Sequence, residues 1–250
     1  MKLLIDTELS LVRISQAGQT REYPLYSAEA FRALSLHWLA MGWNLEHWAS
    51  FSWMGRQILQ LPDDILRLAE YVWRTRPDVI IETGIFDGGS TLLFASLCRL
   101  MGHGRVISID REIRSGVREA VSGEPVTLIE GDSADKAIAL QVATLVDGAQ
   151  TVCVFLDSDH SAEHVRNELQ NYSPLVTPGN HIIVADSICA EVAHTPQGDR
   201  DWKENYPGKA VDDFIALHPE FERIQPEPLF NGSADFRCVS YFGSAWLRRR

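Results

Sequence analysis

Three residues in the second half of this chain have the types and spacing to do chemistry together. Asp157 ends the apolar run from Val152, His160 follows it by three positions, and Asp186 ends the apolar run from Ile182. If those runs are adjacent strands of one sheet, the two carboxylates stand side by side at its carboxyl edge. Two hard oxygen donors so placed suit Mg²⁺, which keeps waters or substrate oxygens as its other ligands. Histidine changes charge near neutral pH, so His160 could take a proton from a hydroxyl held beside that ion. A plainer alternative treats both aspartates as helix N-caps and His160 as a capping or surface residue.

A second group precedes them. Glu82-Thr-Gly-Ile-Phe-Asp-Gly-Gly-Ser90 joins an apolar run to an amphipathic one, as a ligand-cradling turn from strand to helix does. Gly84 permits a sharp bend, Gly88 and Gly89 permit a ligand to approach the main chain, and Ser90 with the free N–H groups of the new helix can hold a carboxylate. Glu82 lies where open α/β sheets bind ligands, and Asp110, one strand-helix-strand unit later, can take both hydroxyls of a ribose. Asp132 and Ser133, after the next strand, can flank a base. A dinucleotide site calls for G-x-G-x-x-G, whereas this loop runs G-x-x-x-G-G. S-adenosylmethionine suits it better, with its carboxylate at the helix start, its sulfonium near the acids and its ribose on Asp110. Separately, His160-Ser-Ala-Glu163-His164 spells H-x-x-E-H, the metal helix of inverted zinc proteases.

The elements that must position these residues are short apolar strands alternating with helical stretches, the pattern of a mostly parallel α/β sheet with helices on both faces. Strands are expected from Val79 to Glu82, Val106 to Asp110, Val126 to Glu130, Val152 to Asp157 and Ile182 to Asp186. All five end in an acid. Carboxylates at buried strand ends are costly unless something satisfies them, which marks this row as the site. Ahead of the sheet, residues 2 to 26 predict a small N-terminal hairpin, Ser27 caps a helix over 28 to 42, and a helix starts at Leu61-Pro-Asp-Asp64. Between the helices lies an aromatic segment with Trp43, Trp48, Phe51 and Trp53, serving either as packing or as a lid. This divides the chain into an N-terminal appendage over 1–60 and a main domain over 61–250. Near the end, Val211 to Leu217 predicts a helix, and Phe221 to Ile224 with Arg237 to Phe242 predicts a closing antiparallel hairpin.

With 250 residues and 45% hydrophobic composition the chain can bury a full core. A net charge of -11 leaves no basic face for nucleic acid or anionic membrane. The opening apolar run is too short for a signal peptide, and none approaches the roughly 18 residues of a membrane span, so a cytoplasmic protein is expected. Cys98, Cys153, Cys189 and Cys238 lie far apart in apolar surroundings and read as reduced core residues.

Taken together, several stretches resemble the cephalosporin hydroxylase family: Phe51-Ser-Trp-Met-Gly-Arg56, Gln60-Leu-Pro-Asp-Asp64, the Glu82 to Ser90 loop, Glu130-Gly-Asp-Ser133, Leu156-Asp-Ser-Asp-His160, Tyr172-Ser-Pro-Leu-Val176 and Ala245-Trp-Leu-Arg248. The family comprises class I S-adenosylmethionine-dependent methyltransferases with a Rossmann-like fold and includes rhamnosyl O-methyltransferases. The resemblance implies Mg²⁺-dependent O-methylation of a sugar or glycosylated small molecule by a homo-oligomer. Glu82, Gly84, Gly88, Ser90, Asp110, Asp132, Ser133 and Asp157 would hold the cofactor. Asp157 and Asp186 would bind the metal, and His160, at the offset where the more distantly similar catechol O-methyltransferase has a lysine, would be the base. Metal-dependent relatives carry an acid or amide pair on the last of these strands, but this chain has Asp186-Ser187, so Ser187, Asp159 or water would complete the shell. Two further departures are Asp87, where relatives tend to have histidine, and Gln57, where they tend to have proline. N- or C-methylation, or cofactor binding without catalysis, are the alternatives within the fold.

Overall fold

The computed structural model describes residues 2–230 and 238–250. Three antiparallel strands open the chain, β1 (Lys2–Asp6), β2 (Leu11–Gln16) and β3 (Gln19–Pro24). The expected hairpin thus gains a third strand: the Asp6 carboxylate accepts from Leu9 N–H at 2.9 Å and closes an additional turn. Helix α1 (Ala28–Asn44) begins where Ser27 Oγ accepts from the Ala30 N–H, as its N-cap position predicts. A two-residue ladder, β4 (Ser52–Trp53) with β5 (Arg56–Gln57), leads to α2 (Pro62–Thr75), which places Pro62 at its start, where a missing N–H costs nothing.

The main domain then alternates β6 (Val79–Thr83), α3 (Gly89–Met101), β7 (Arg105–Asp110), α4 (Ser115–Ala120), β8 (Val126–Glu130), α5 (Lys136–Val146), β9 (Val152–Leu156), α6 (Ala162–Tyr172), β10 (His181–Val184), α7 (Cys189–Val192), α8 (Pro207–Leu217), β11 (Phe221–Arg223) and β12 (Trp246–Arg249). Across the sheet the order is β11-β12-β10-β9-β6-β7-β8; the five strands from β10 to the β8 edge are parallel and β12 runs against both neighbours. Chain order reverses between β6 and β9, so the switch point of the sheet, where such folds bind ligands, is flanked by the Glu82 to Ser90 loop and Asp157. The closing hairpin is corrected: β11 pairs with Trp246–Arg249, not with a strand ending at Phe242. Residues 238–242 form no strand, and Arg237 lies outside the described residues.

Strand alternation feeds two cores. Val79 and Ile81 join Val154, Leu169 and Phe214 on one face, while Ile80 joins Leu68, Phe94, Phe155 and Trp246 on the other. Cys98, Cys153 and Cys189 are buried and unpaired, and burial pushes the first two thiols up to about 11 and about 12, which leaves them inert. Among the described residues no helix is long and apolar enough to cross a membrane.

Candidate active site

A cavity of about 590 Å³ opens at the carboxyl edge of the sheet, a size suited to a cofactor and a small ligand. One wall is the loop from Gly84 to Phe86 with Ser90, the next carries Asp110, Glu112, Asp132 and Ser133, and Asp157 to His160 and Asp186 stand at the switch point. Trp43, Trp48, Gln57 to Leu59, Trp202 and Tyr241 also line it, as do Arg111, Arg114 and His164. Leu59, Phe86 and Asp186 have positive φ (56°, 49° and 52°), a costly conformation for residues other than glycine that recurs at functional sites.

Asp157, His160 and Asp186 each offer one ligand atom within 4.8 Å of the others. β9 and β10 are hydrogen-bonded neighbours, which is why the two carboxylates meet. His160 Nε2 is 3.4 Å from Asp186 Oδ2, and Gln60 Nε2 donates to Asp157 Oδ2 at 2.8 Å. Burial, and then the charge of Asp186, hold the Asp157 carboxyl well above the usual range; burial also raises Asp186. Two desolvated acids facing each other with an imidazole beside them are a donor set that a divalent cation satisfies, so the residues fit the ion. Neither aspartate is a helix N-cap: Ser161 caps α6, and Ile188 precedes α7. Ser187 is not brought into this group, because its buried hydroxyl pairs with Ser244 Oγ at 3.3 Å and does not line the cavity. Asp159 does line it, with one oxygen accepting from Ser161 N–H at 2.8 Å.

The row of five acids is thinned to three. Glu82 is fully buried behind the loop, where its Oε2 accepts from the Thr91 and Ser108 hydroxyls, both at 2.6 Å; burial raises its carboxyl, and Oε1 has no partner among the described residues. Glu130 turns to Arg118 at 2.7 Å and stays outside the cavity. Asp110 reaches the cavity but spends Oδ2 on the N–H groups of Ile85 (2.7 Å) and Phe86 (2.9 Å), which leaves Oδ1, already 3.2 Å from Glu112 N–H, as its freer acceptor. Asp132 Oδ1 likewise accepts from Ala134 N–H, while Ser133 Oγ lies 3.1 Å from His164 Nε2.

Gly84 makes the expected bend with a φ of 83°, while Gly88 and Gly89 act differently from expectation. A Cβ on Gly84 would sit 1.9 Å from the Asp157 carbonyl, so this residue lets two strand ends come together. Beside Gly88 the space belongs to Val117, and a Cβ on Gly89 would meet Gln57 O at 2.3 Å. Gly89 therefore admits protein rather than ligand, and Gly88 is required by its φ of 87° at the start of α3. The strap that Gly89 admits is locked by Asp87, which takes Arg56 Nη2 at 2.6 Å and the Gln57 N–H at 2.8 Å. A proline at 57 has no N–H to give, so the two departures at 57 and 87 form one device. Trp53 and Phe51 of the strap pack with Ile58 and Leu93, while Trp43 and Trp48 pack in the second core and also line the cavity, so packing accounts for the whole aromatic segment.

The H-x-x-E-H pattern does not assemble. His160 precedes α6 and meets Asp186, Glu163 is exposed, and His164 bonds instead to Ser133 and Ser158 beside the buried Glu168. Gln60, Trp202 and Tyr241 went unnoticed as site residues. Only Gln60 carried a signal, as a lone polar residue inside the apolar run Ile58-Leu-Gln-Leu61.

Solved structures share this fold. An apo structure of CmcI matches with a TM-score of 0.56 at 22% identity, covering 80% of this chain and 76% of that one. A structure of CmcI with Mg and SAM gives 0.53 at 20%, covering 81% and 77%. At these identities the likeness is one of fold, the Rossmann-like fold of class I methyltransferases. Residues 45–249 match the family Rhamnosyl O-methyltransferase/CmcI, and the chain belongs to that family. A rhamnosyl O-methyltransferase of Mycobacterium bovis (strain BCG / Pasteur 1173P2) is 30% identical over 142 residues, 56% of this chain and 58% of that protein, so the match spans little more than half of the relative. The family resemblance carried by the sequence motifs is borne out.

Proposed function

We propose that this protein is an S-adenosylmethionine- and divalent-cation-dependent O-methyltransferase acting on a hydroxyl of a sugar or glycosylated small molecule. The observation that carries this is the convergence of Asp157, His160 and Asp186 beside the Gly84 to Ser90 loop in one cavity. When bound, the cofactor supplies a methyl group on a sulfonium, and the cation lowers the pKa of the acceptor hydroxyl. Ser90, the α3 N-terminus and Asp110 Oδ1 would hold the cofactor, with Asp132 and Ser133 beside its base. Gly84 would be needed for the bend, Gly88 for the left-handed start of α3, and Glu82 for anchoring the helix from behind through Thr91.

Asp157, oriented by Gln60, and Asp186 would hold the cation, and a hard oxygen set of this kind favours an oxygen acceptor over nitrogen or carbon. His160 Nε2 would receive the acceptor proton, steadied by the neighbouring Asp186 carboxylate. Holding donor and acceptor in line supplies on the order of 7 to 11 kcal/mol, against about 100-fold to 10,000-fold for a general base, so positioning dominates. A sugar acceptor is supported by the rhamnosyl O-methyltransferase relative and by the family to which the chain belongs. The test is His160→Ala: methyl transfer to a panel of glycosides, read as a gain of one methyl by mass, should fall about 100-fold or more while calorimetric affinity for S-adenosylmethionine holds. An unchanged rate removes His160 as the base.

A further inference from the structure

Helix α6 turns four polar residues, His164, Glu168, Asn171 and Tyr172, along one face at spacings of i, i+4, i+7 and i+8. They meet the turns that follow β8 and β9. Tyr172 Oη donates to the Ser133 carbonyl at 2.8 Å and Asn171 Nδ2 to the Ala134 carbonyl at 2.9 Å, which fixes the backbone that carries Ser133. Glu168 is fully buried, and its Oε1 accepts from the Ser158 hydroxyl at 2.7 Å. His164 lies between the two turns. Its Nε2 is 3.1 Å from both Ser133 Oγ and Ser158 Oγ and 3.5 Å from Glu168 Oε1, and its Nδ1 is 3.9 Å from Asp132 Oδ1.

Packing does not call for an imidazole against a buried carboxyl, because an apolar pair of similar volume is often at least as stable. The hydrogens of the cluster suggest what the pair does instead. Each ring nitrogen faces a carboxyl oxygen, so a bare lone pair at either position would meet another lone pair, and both nitrogens therefore carry hydrogen. The neighbouring Glu168 carboxyl accordingly raises the His164 pKa, against the opposing effect of burial. Nε2 then donates, and Ser133 Oγ accepts. A hydroxyl has one hydrogen, and that of Ser158 goes to Glu168. That of Ser133 has only Ser158 Oγ within reach among the described residues, at 3.5 Å, beyond the ordinary O–H···O range. Ser133 and His164 both line the cavity.

Resting on the S-adenosylmethionine reading above, in which Ser133 lies beside the base, we propose that His164 is a positioning residue of the cofactor site. By donating to Ser133 Oγ it leaves the hydroxyl hydrogen for the cavity, where it is given to a ring nitrogen of the adenine. Ser133 is thereby fixed as a donor, which accepts a base nitrogen with a free lone pair and refuses one that bears hydrogen. Glu168 acts through His164 and touches no ligand.

The experiment is calorimetric titration of full-length protein with S-adenosylhomocysteine and with three analogues in which N1, N3 or N7 of the base is replaced by C–H. Wild-type protein should bind one of the three about 2-fold to 12-fold more weakly than the parent, the equivalent of one ordinary hydrogen bond. Ser133→Ala and His164→Leu should each close that gap, His164→Gln, which keeps an N–H donor, should restore part of it, and Glu168→Gln should narrow it. Thermal melting reports folding, and Glu168→Gln, which keeps the volume, decides the matter if His164→Leu does not fold. A purely structural role for His164 would change the affinity for parent and analogue alike and leave their ratio intact. A gap that persists in His164→Leu, or in Glu168→Gln where that variant decides, while Ser133→Ala closes it overturns the positioning role and leaves Ser133 at the base. Equal binding of all four ligands by wild-type protein overturns the donor assignment. Failure of wild-type protein to bind S-adenosylhomocysteine at all overturns the cofactor reading beneath it.

Discussion

Asp186→Asn should stabilise the metal-free protein and remove its response to Mg²⁺. Ligand oxygens of Asp157 and Asp186 lie within 4.8 Å of each other, and two unit charges at that separation repel by about 3.5 kcal/mol at an effective dielectric near 20. Both carboxyls are raised by burial, so the folded protein keeps a proton on the pair at pH values where the unfolded chain has lost it. The sign follows: above the ordinary carboxyl value near 4 the folded state binds more protons, and metal-free stability falls as pH rises through the folded pKa values. Protonation already relieves part of the repulsion, which leaves about 1 to 2 kcal/mol for the asparagine to recover near pH 8. A cation at 100 times its dissociation constant stabilises the wild type by about 2.7 kcal/mol. At about 2 to 4 °C per kcal/mol for a chain of this size, that is about 5 to 11 °C. Scanning calorimetry with chelator and with Mg²⁺, from pH 6 to 9, reads both effects. A lower metal-free melting temperature in Asp186→Asn, or a Mg²⁺ shift equal to that of the wild type, would refute the reasoning.

Burial pushes the Asp64 carboxyl up to about 7, above its ordinary 3.8 and against the pull of the Ser240 hydroxyl and the Tyr241 N–H. Its folded pKa is raised, so its contribution to stability falls as pH rises from about 4 to about 7. Asp64→Asn should flatten the pH dependence of urea unfolding relative to wild type in that window, and an unaltered slope refutes the assignment. Asp87→Ala should loosen the strap by removing the carboxylate that takes Arg56 Nη2 and the Gln57 N–H, leaving only the bond from Arg56 Nε to the backbone carbonyl of residue 87 at 2.6 Å. Limited trypsin digestion would then cut after Arg56 at least several-fold faster than in the wild type, and equal rates would show that packing of Trp53 and Phe51 alone secures the strap.

How much of this was legible in the residues follows from where the determinants lie. β6 to β10 could be read because each is an apolar run covered by helices on both faces, a local signal. Ser27 and Pro62 announced their helices through backbone groups within a few positions. The acids show the limit. Glu82, Glu130 and Asp186 carry one signal, an acid ending a strand run, yet Glu82 stays within β6 and meets Thr91 and Ser108, Glu130 on the outermost strand meets Arg118, and only Asp186, two residues past β10, reaches the cavity. Which neighbour an acid finds is a tertiary fact. The last strand was misplaced for the same reason: apolar residues occur both before Phe242 and in Trp246–Arg249, and pairing with β10 selects the second while Asp64 takes Ser240 and Tyr241. Gly89 was legible as a glycine but not in purpose, since its neighbour Gln57 is distant in sequence.

The polar groups around the cavity are satisfied unevenly, and that unevenness orders the events of the proposed reaction. On the loop side, Asp110 accepts three backbone N–H groups, Asp87 locks the strap and Asp132 caps its own turn; Glu82 Oε1 and Thr83 Oγ1 are the exceptions among the described residues. That wall is already built before any ligand arrives. Across the cavity, two raised carboxyls face each other, with Gln60 as the hydrogen-bond donor to Asp157. Two desolvated carboxyls brought together cost free energy until a cation joins them, so this side gains most from being filled. A preorganised donor wall accepts its cofactor without rearrangement, whereas the acceptor wall reaches its lowest free energy only with the cation and the acceptor both in place. In the proposed reaction catalytic competence would then be set by the acceptor side, where an ion would cancel the repulsion that the sheet imposes by placing Asp157 and Asp186 at the ends of adjacent strands.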